Sequence, residues 1–225
     1  MIKFENVSKQ FSIGNKALDN ITFQINRNEF VYLVGPSGAG KTTIIKIMLK
    51  QIEPSEGIVQ INDNVLDTKN KKQTEDIRRN IGVVFQDFKI LHDKNIFENV
   101  ALGLKILDFD KKTIIKEVNE ALKLVGLQDR DLFFPTQLSA GELQRVAIAR
   151  AVVGDRDIIL ADEPTGNLDP TTSWEIMKIF KKLEKNKTIL FATHNMDIVN
   201  TYRKRVLTLK EGKLIKDSKK GGYEV

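Results

Sequence analysis

The stretch from Glu29 to Lys50 limits the possible folds more than any other part of the chain. EFVYLV (29–34) is a short run rich in β-formers and aromatics, the texture of a buried strand. It runs straight into Gly35-Pro36-Ser37-Gly38-Ala39-Gly40, which no regular element accommodates. KTTIIKIMLK (41–50) then shows helical spacing of its apolar residues. Gly35 to Thr42 satisfies G-x-x-x-x-G-K-[ST] at every fixed position. The glycines let successive N–H groups turn inward and form a concave anion site. The helix start adds its positive end. Lys41 contributes a point charge for β- and γ-phosphates, and the Thr42 hydroxyl suits Mg²⁺, a hard ion that prefers oxygen. Pro36, Ser37, Gly38, Ala39 and Thr43 complete the expected contact set. The motif predicts a nucleoside triphosphate site and leaves the fate of the nucleotide open.

The rest of the chain has matching texture. Strands are expected at Ile2–Val7, Ala17–Ile25, Gly57–Ile61, Ile81–Phe85, Asp157–Ala161 and Thr188–Thr193. Between about Gln86 and Arg156 the β-runs vanish, and Val118, Leu122 and Val125 recur at helical spacing, as in a helical insertion. Asp169 and Pro170 look like an N-cap and first helical residue, followed by an Ile176, Ile179, Phe180, Leu183 stripe. Strands alternating with helices imply an α/β protein with a mostly parallel sheet covered on both faces. The last ten residues, KDSKKGGYEV, read as a mobile tail.

Composition narrows the function classes. The 225 residues suffice for a substantial core, and 29% charged with 41% hydrophobic residues excludes a disordered or collagen-like chain. With no cysteine there is no disulfide framework, thiolate metal site or cysteine nucleophile. No segment has the ~18 apolar residues of a membrane span. The start, MIKFENVSKQF, is broken by charges unlike a signal peptide, so a cytosolic location is expected. The net charge of +6 reads first as a lysine-rich solvated surface. The alternative is contact with nucleic acid or anionic lipid, the latter through Lys216, Lys219 and Lys220 of the tail.

Three further motifs gain meaning beside the cradle. DIILADE (157–163) is an apolar strand ending in two acids, which places Asp162 and Glu163 at the carboxyl edge of the sheet, where such folds bind ligands. Asp162 could hold Mg²⁺, and Glu163 could polarise an attacking water. His194 and Gln86 each follow an apolar strand. Ser139 and Glu142 fit S-x-x-E, a capping box before a helix expected at Leu143–Val152. The same helix start could form a second anion site. A chain with two anion sites and one triphosphate between them is satisfied by a head-to-tail pair.

Together these motifs resemble the ATP-binding subunits of ATP-binding cassette (ABC) systems, and the resemblance covers nearly the whole chain. It implies a P-loop ATPase fold with an antiparallel β subdomain and a helical signature subdomain, the core being 1–86 with 157–225 and the helical part about 87–156. It implies ATP and Mg²⁺ as cofactors. Phe11 resembles the ring that stacks on adenine, and Gln86 the glutamine that touches Mg²⁺ and links to the helical subdomain. Ser139, Gly141 and Glu142 resemble the signature that reaches the partner's γ-phosphate. Asp162 resembles the metal-site acid, Glu163 the catalytic base and His194 the switch histidine. Gly166-Asn167-Leu168-Asp169 resembles the loop that crosses the dimer seam.

FENVSKQF, GPSGAGKTT, VVFQDFKIL followed by IFENVALGL, and ADEPTGNLDP together resemble the cell-division members of the family. These imply an integral membrane partner, a place at the cytoplasmic face of the membrane and control of cell-wall hydrolysis, with no nucleic acid expected. Exporter ATPases of the lipoprotein-releasing or macrolide type share ADEPTGNLD and remain an alternative, as do a soluble nucleic-acid machine and a nucleotide sensor. Ala140 for a usual Gly, Leu143 for a usual Gln and Phe11 for a commoner Tyr depart from the pattern.

Overall fold

The computed structural model describes residues 2–11, 14–62, 64–66, 71–219 and 221. Two sheets organise it. The strands β1 (Ile2–Gln10), β2 (Lys16–Ile25), β4 (Glu56–Ile61) and β5 (Asn64–Val65) form an antiparallel sheet in the order β2-β1-β4-β5. The larger sheet contains β3 (Phe30–Val34), β6 (Ile81–Phe85), β7 (Ile158–Asp162), β8 (Thr188–Thr193), β9 (Arg205–Lys210) and β10 (Lys213–Ser218). Its order is β10-β9-β3-β8-β7-β6, parallel throughout except for β10, which runs antiparallel to β9.

The central strands are buried on both faces because alternate side chains enter different cores. Phe30, Tyr32, Val34, Ile159, Ala161, Ile189 and Phe191 pack with apolar residues of α3 (Ile96–Ile106), α4 (Lys111–Leu124), α5 (Ala140–Val152), α6 (Pro170–Leu183) and α7 (Met196–Tyr202). Their neighbours Val31, Leu33, Ile158, Leu160, Leu190 and Ala192 pack on α1 (Lys41–Met48) and on the antiparallel sheet through Phe4, Leu18 and Ile21. Each Val, Leu, Ile or Phe side chain buried in this way contributes about 1.5–3 kcal/mol. A one-residue slip would exchange the two cores, so the pattern also sets the register.

The expected α/β class, mostly parallel core sheet, antiparallel β unit and helices in the 87–156 segment are all present. The predicted Ile176, Ile179, Phe180, Leu183 stripe of α6 is buried. Several elements differ from expectation, and β5, β9 and α7 have no counterpart among the expected ones. The helix expected from Leu143 begins at Ala140, because Ser139 and Glu142 cap it there. The tail is not loose at its start: Lys216, Asp217 and Ser218 belong to β10. Arg205 fastens that strand, donating to the two Asp217 carboxylate oxygens at 2.8 and 2.7 Å. Lys220 and residues 222–225 lie outside the described residues, so the tail and lipid expectations there have no structural counterpart. The helix α2 (Lys71–Asn80) went unseen because Ile77 is its only apolar residue. It docks through Ile77, which is buried, and through Arg78, which donates to the Leu49 and Lys50 carbonyls at 2.9 and 3.2 Å. Among the described residues, no helix is long and apolar enough to cross a membrane.

Candidate functional site

Strand register brings the site together. Leu33 pairs with Ala192, Ala192 with Asp162, and Asp162 with Phe85, so β3, β8, β7 and β6 end side by side. The residues just beyond these ends, Gly35, His194, Glu163 and Gln86, therefore emerge at one carboxyl edge of the sheet. Pro36 to Thr43, Gln86, Glu163 and His194 line a pocket of about 550 Å³ there.

The glycine loop has specific steric reasons. At Gly35, with φ of 152°, a Cβ would lie 2.3 Å from the Leu209 carbonyl oxygen. At Gly40, with φ of 107°, it would lie 2.7 Å from Leu18 Cδ2 and 2.8 Å from the Ala17 oxygen. Gly40 is also the N-cap of α1 and supplies no side-chain cap. By contrast, α3 to α7 are capped by the side chains of Asn95, Asp110, Ser139, Asp169 and Asn195. The first N–H groups of α1 thus face the pocket without an intrahelical acceptor, together with the helix's positive end.

Lys41 is buried, and its ammonium donates to the Gly35 and Pro36 carbonyls at 2.8 and 3.2 Å. It also stands 3.3 Å from Glu163 Oε1. Glu163 has a left-handed backbone, φ 50°, a conformation that costs about 1–2 kcal/mol for a side-chain-bearing residue. Its N–H donates to the Ala192 carbonyl at 3.0 Å, which holds that turn against β8. The second oxygen, Oε2, accepts from the His194 backbone N–H at 3.3 Å and lies 3.0 Å from His194 Nδ1. A carboxylate only accepts, so this contact places the proton on Nδ1. One carboxylate is thereby aimed by an ammonium, an amide and an imidazole.

Asp162 sits beside it. Burial pushes its carboxyl above the ordinary range, and the Glu163 charge adds to this, while the Thr42 hydroxyl, donating at 3.3 Å, opposes it. A half-buried acid, the Thr42 hydroxyl next to it and the Gln86 carboxamide on the pocket wall make a hard-oxygen donor set, which fits Mg²⁺.

The remaining expected residues lie outside this pocket. Phe11 is exposed at the turn between β1 and β2, with Lys9 Nζ 5.3 Å from its ring centre. Ser139 and Glu142 form the capping box: Ser139 N–H and Oγ donate to Glu142 Oε2 at 2.9 and 2.8 Å, and Ser139 Oγ accepts from Glu142 N–H at 3.3 Å. These bonds, the Ser139 backbone N–H first, hold the Glu142 carboxyl below its ordinary range. Gly141 is buried against α6, where a Cβ would meet Thr172 Cγ2 at 2.4 Å. Asp169 caps α6 by accepting from Thr172 N–H at 3.0 Å.

Sequence reasoning missed several supporting side chains. Arg150 donates to the Phe88 and Lys89 carbonyls at 2.8 and 2.7 Å, fastening two residues with φ of 57° and 51° just after Gln86. Buried Gln144 donates to the Pro164 carbonyl at 2.6 Å, next to Glu163. Their sequence signal is weak, since each lies far along the chain from the loop it holds.

A family model described as ABC transporter matches residues 18–166. The cell division ATP-binding protein FtsE of Bacillus subtilis is 47% identical over 224 residues, 99% of this chain and 98% of that protein. Its namesake in Mycobacterium tuberculosis is 41% identical over 225 residues, at 99% and 98% coverage. Among solved structures, the dimeric ABC transporter cassette MJ0796 superposes with a TM-score of 0.88 at 37% identity, covering 99% of this chain and 100% of that one. The same cassette in a post-hydrolysis state with ADP and Pi gives a TM-score of 0.88 at 36% identity and the same coverage.

Proposed function

Because the chain belongs to the ABC transporter family, we propose that it is an ATP-binding and ATP-hydrolysing subunit working in bacterial cell division. In this reading it pairs head to tail with a second copy and acts at the cytoplasmic face of the membrane on an integral partner resembling FtsX. The observation that carries the reading is the convergence of the glycine loop, Lys41, Glu163 and His194 on one pocket in a chain similar over its whole length to cell-division relatives.

The residues divide the work as follows. The N–H groups of the loop and of the first turn of α1 hold the phosphates. Lys41 leaves Glu163 for the β- and γ-phosphates, which compete for its ammonium. Glu163, released on one side and still held by His194, polarises the attacking water. Thr42, Asp162 and Gln86 hold Mg²⁺, which neutralises phosphate charge when bound. Phe11 stacks on the base. Ser139, Gly141 and Glu142 approach the γ-phosphate in the second copy's cradle, while Asp169 lies at the seam.

Glu163→Gln is the decisive variant. It keeps a side chain of the same shape and removes the base. ATP binding is expected to persist, turnover to fall by at least about 10²-fold, and a nucleotide-bound dimer to accumulate in size-exclusion chromatography with ATP. A variant that bound ATP but stayed monomeric would contradict the paired arrangement. Turnover at the wild-type rate would remove Glu163 from the chemistry. Recovery of a four-span protein with a large extracytoplasmic loop from solubilised membranes would support the division partner.

A further inference from the structure

Gln86 and Asn167 face each other across two strand-end loops, and the polarity of their contact follows from the backbone outward. Asn167 Nδ2 lies 3.2 Å from the Gln86 main-chain oxygen. A carbonyl oxygen only accepts, so Asn167 turns its NH₂ group to it. Asn167 Oδ1 is then the atom that meets the Gln86 side chain, 3.0 Å from Nε2. That oxygen also only accepts, so Gln86 turns its own NH₂ group to Asn167. The Gln86 carboxamide therefore has one orientation, with Oε1 as the end not turned to Asn167. The preceding residue makes room for this arrangement: a Cβ at Gly166 would stand 3.0 Å from Gln86 Nε2 and 3.3 Å from Cδ. Gln86 lines the same pocket as Thr42 and Lys41.

We propose that Asn167 is a positioning residue that fixes which end of the Gln86 carboxamide is offered to the pocket, presenting the oxygen to a divalent cation. This rests on the nucleotide-and-metal reading above. The two ends of a carboxamide differ little in size, so an untethered glutamine presents either one. An NH₂ group aimed at a cation repels it, whereas an oxygen binds it. The main-chain oxygen of Gln86 thus sets, through Asn167, the chemistry of Gln86's own side chain. Because Asn167 belongs to the 166–169 loop, any displacement of that loop would release the lock.

The test uses the full chain carrying Glu163→Gln, so that nothing turns over, with ATP and Mn²⁺ as the probe. Free Mn²⁺ is counted by electron paramagnetic resonance, and ATP binding is measured separately in EDTA. Adding Asn167→Ala is expected to weaken Mn²⁺ binding to the ATP complex by about twofold or more, because the untethered carboxamide offers its oxygen only part of the time. Metal-free ATP binding is expected to stay unchanged. Gln86→Ala should weaken Mn²⁺ at least as much, and Asn167→Ala should add nothing in that background, since it acts only through Gln86. Unchanged Mn²⁺ affinity, additive losses, or an equal loss of metal-free ATP binding would each overturn the proposal. The last result would make the pair a simple loop fastener. If the Glu163→Gln chain bound no ATP with or without metal, the nucleotide reading itself would fall, and this inference with it.

Discussion

Gly141→Ala separates what the fold needs at this position from what the nucleotide needs. Gly141 lies in helical backbone that alanine accepts, so no dihedral strain enters. The obstacle is lateral: the new methyl would stand 2.4 Å from Thr172 Cγ2, and restoring ordinary contact requires the neighbour to give by about 1 Å. Thr172 cannot simply rotate, because its hydroxyl donates to Asp169 Oδ2 and its N–H to Asp169 Oδ1. Overpacking of this kind costs about 1–3 kcal/mol. Replacing glycine inside a helix returns about 0.5–1 kcal/mol. The midpoints of these ranges leave a net loss of about 1 kcal/mol, read in thermal unfolding as a midpoint lower by about 2–4 °C. Thr172→Ser removes Cγ2 and keeps the hydroxyl, so Gly141→Ala should become neutral or stabilising in that background. A single variant as stable as wild type, or a double variant no more stable than Gly141→Ala alone, would refute the packing argument. ATP hydrolysis in the stable double variant then reports on the nucleotide role alone.

Other expectations follow from the same geometry. Asp162→Asn removes a charge that burial and Glu163 disfavour, so the nucleotide-free protein should become more stable at neutral pH, seen as a raised unfolding midpoint, while ATP hydrolysis is lost. An unchanged or lower midpoint would mean that the carboxylate carries no such cost. Ser139→Ala should destabilise by about 1 kcal/mol through loss of the α5 cap, measured by urea unfolding. Glu142→Gln keeps the cap geometry but not the charge. Because the Glu142 carboxyl is held low in the folded state, its charge contributes stability that is present above the ordinary glutamate value and is lost as pH falls through the folded one. The stability gap between wild type and Glu142→Gln should accordingly be open at pH 7 and close as pH falls below about 4. A gap that stayed constant with pH would argue against the capping-box charge.

Much of this architecture is legible along the chain. The strands β3, β7 and β8 stand out because burial on both faces demands unbroken apolar runs. The Asp169–Pro170 helix start and the Ser139–Glu142 box are visible because capping is chemistry between residues three apart. Other elements carry no such mark. The helix α2 depends on Arg78 reaching carbonyls at the end of α1, and the strand β10 depends on Arg205 reaching Asp217 from β9. Neither leaves a periodic trace in its own segment. The place of Asn167 is similar: its side chain has meaning only opposite a glutamine 81 positions away.

The glycine loop, its lysine and threonine, and the identity of the acids are properties of contiguous residues. Local steric freedom and side-chain chemistry decide them before any folding occurs. Where those groups stand relative to one another is another matter. The ion pair of Lys41 with Glu163, the imidazole behind that carboxylate and the orientation of the Gln86 amide exist only because four strands end in one row. That alignment is set by two cores closing at once on opposite faces of the sheet, a condition spread over the whole chain and present in no single segment of it.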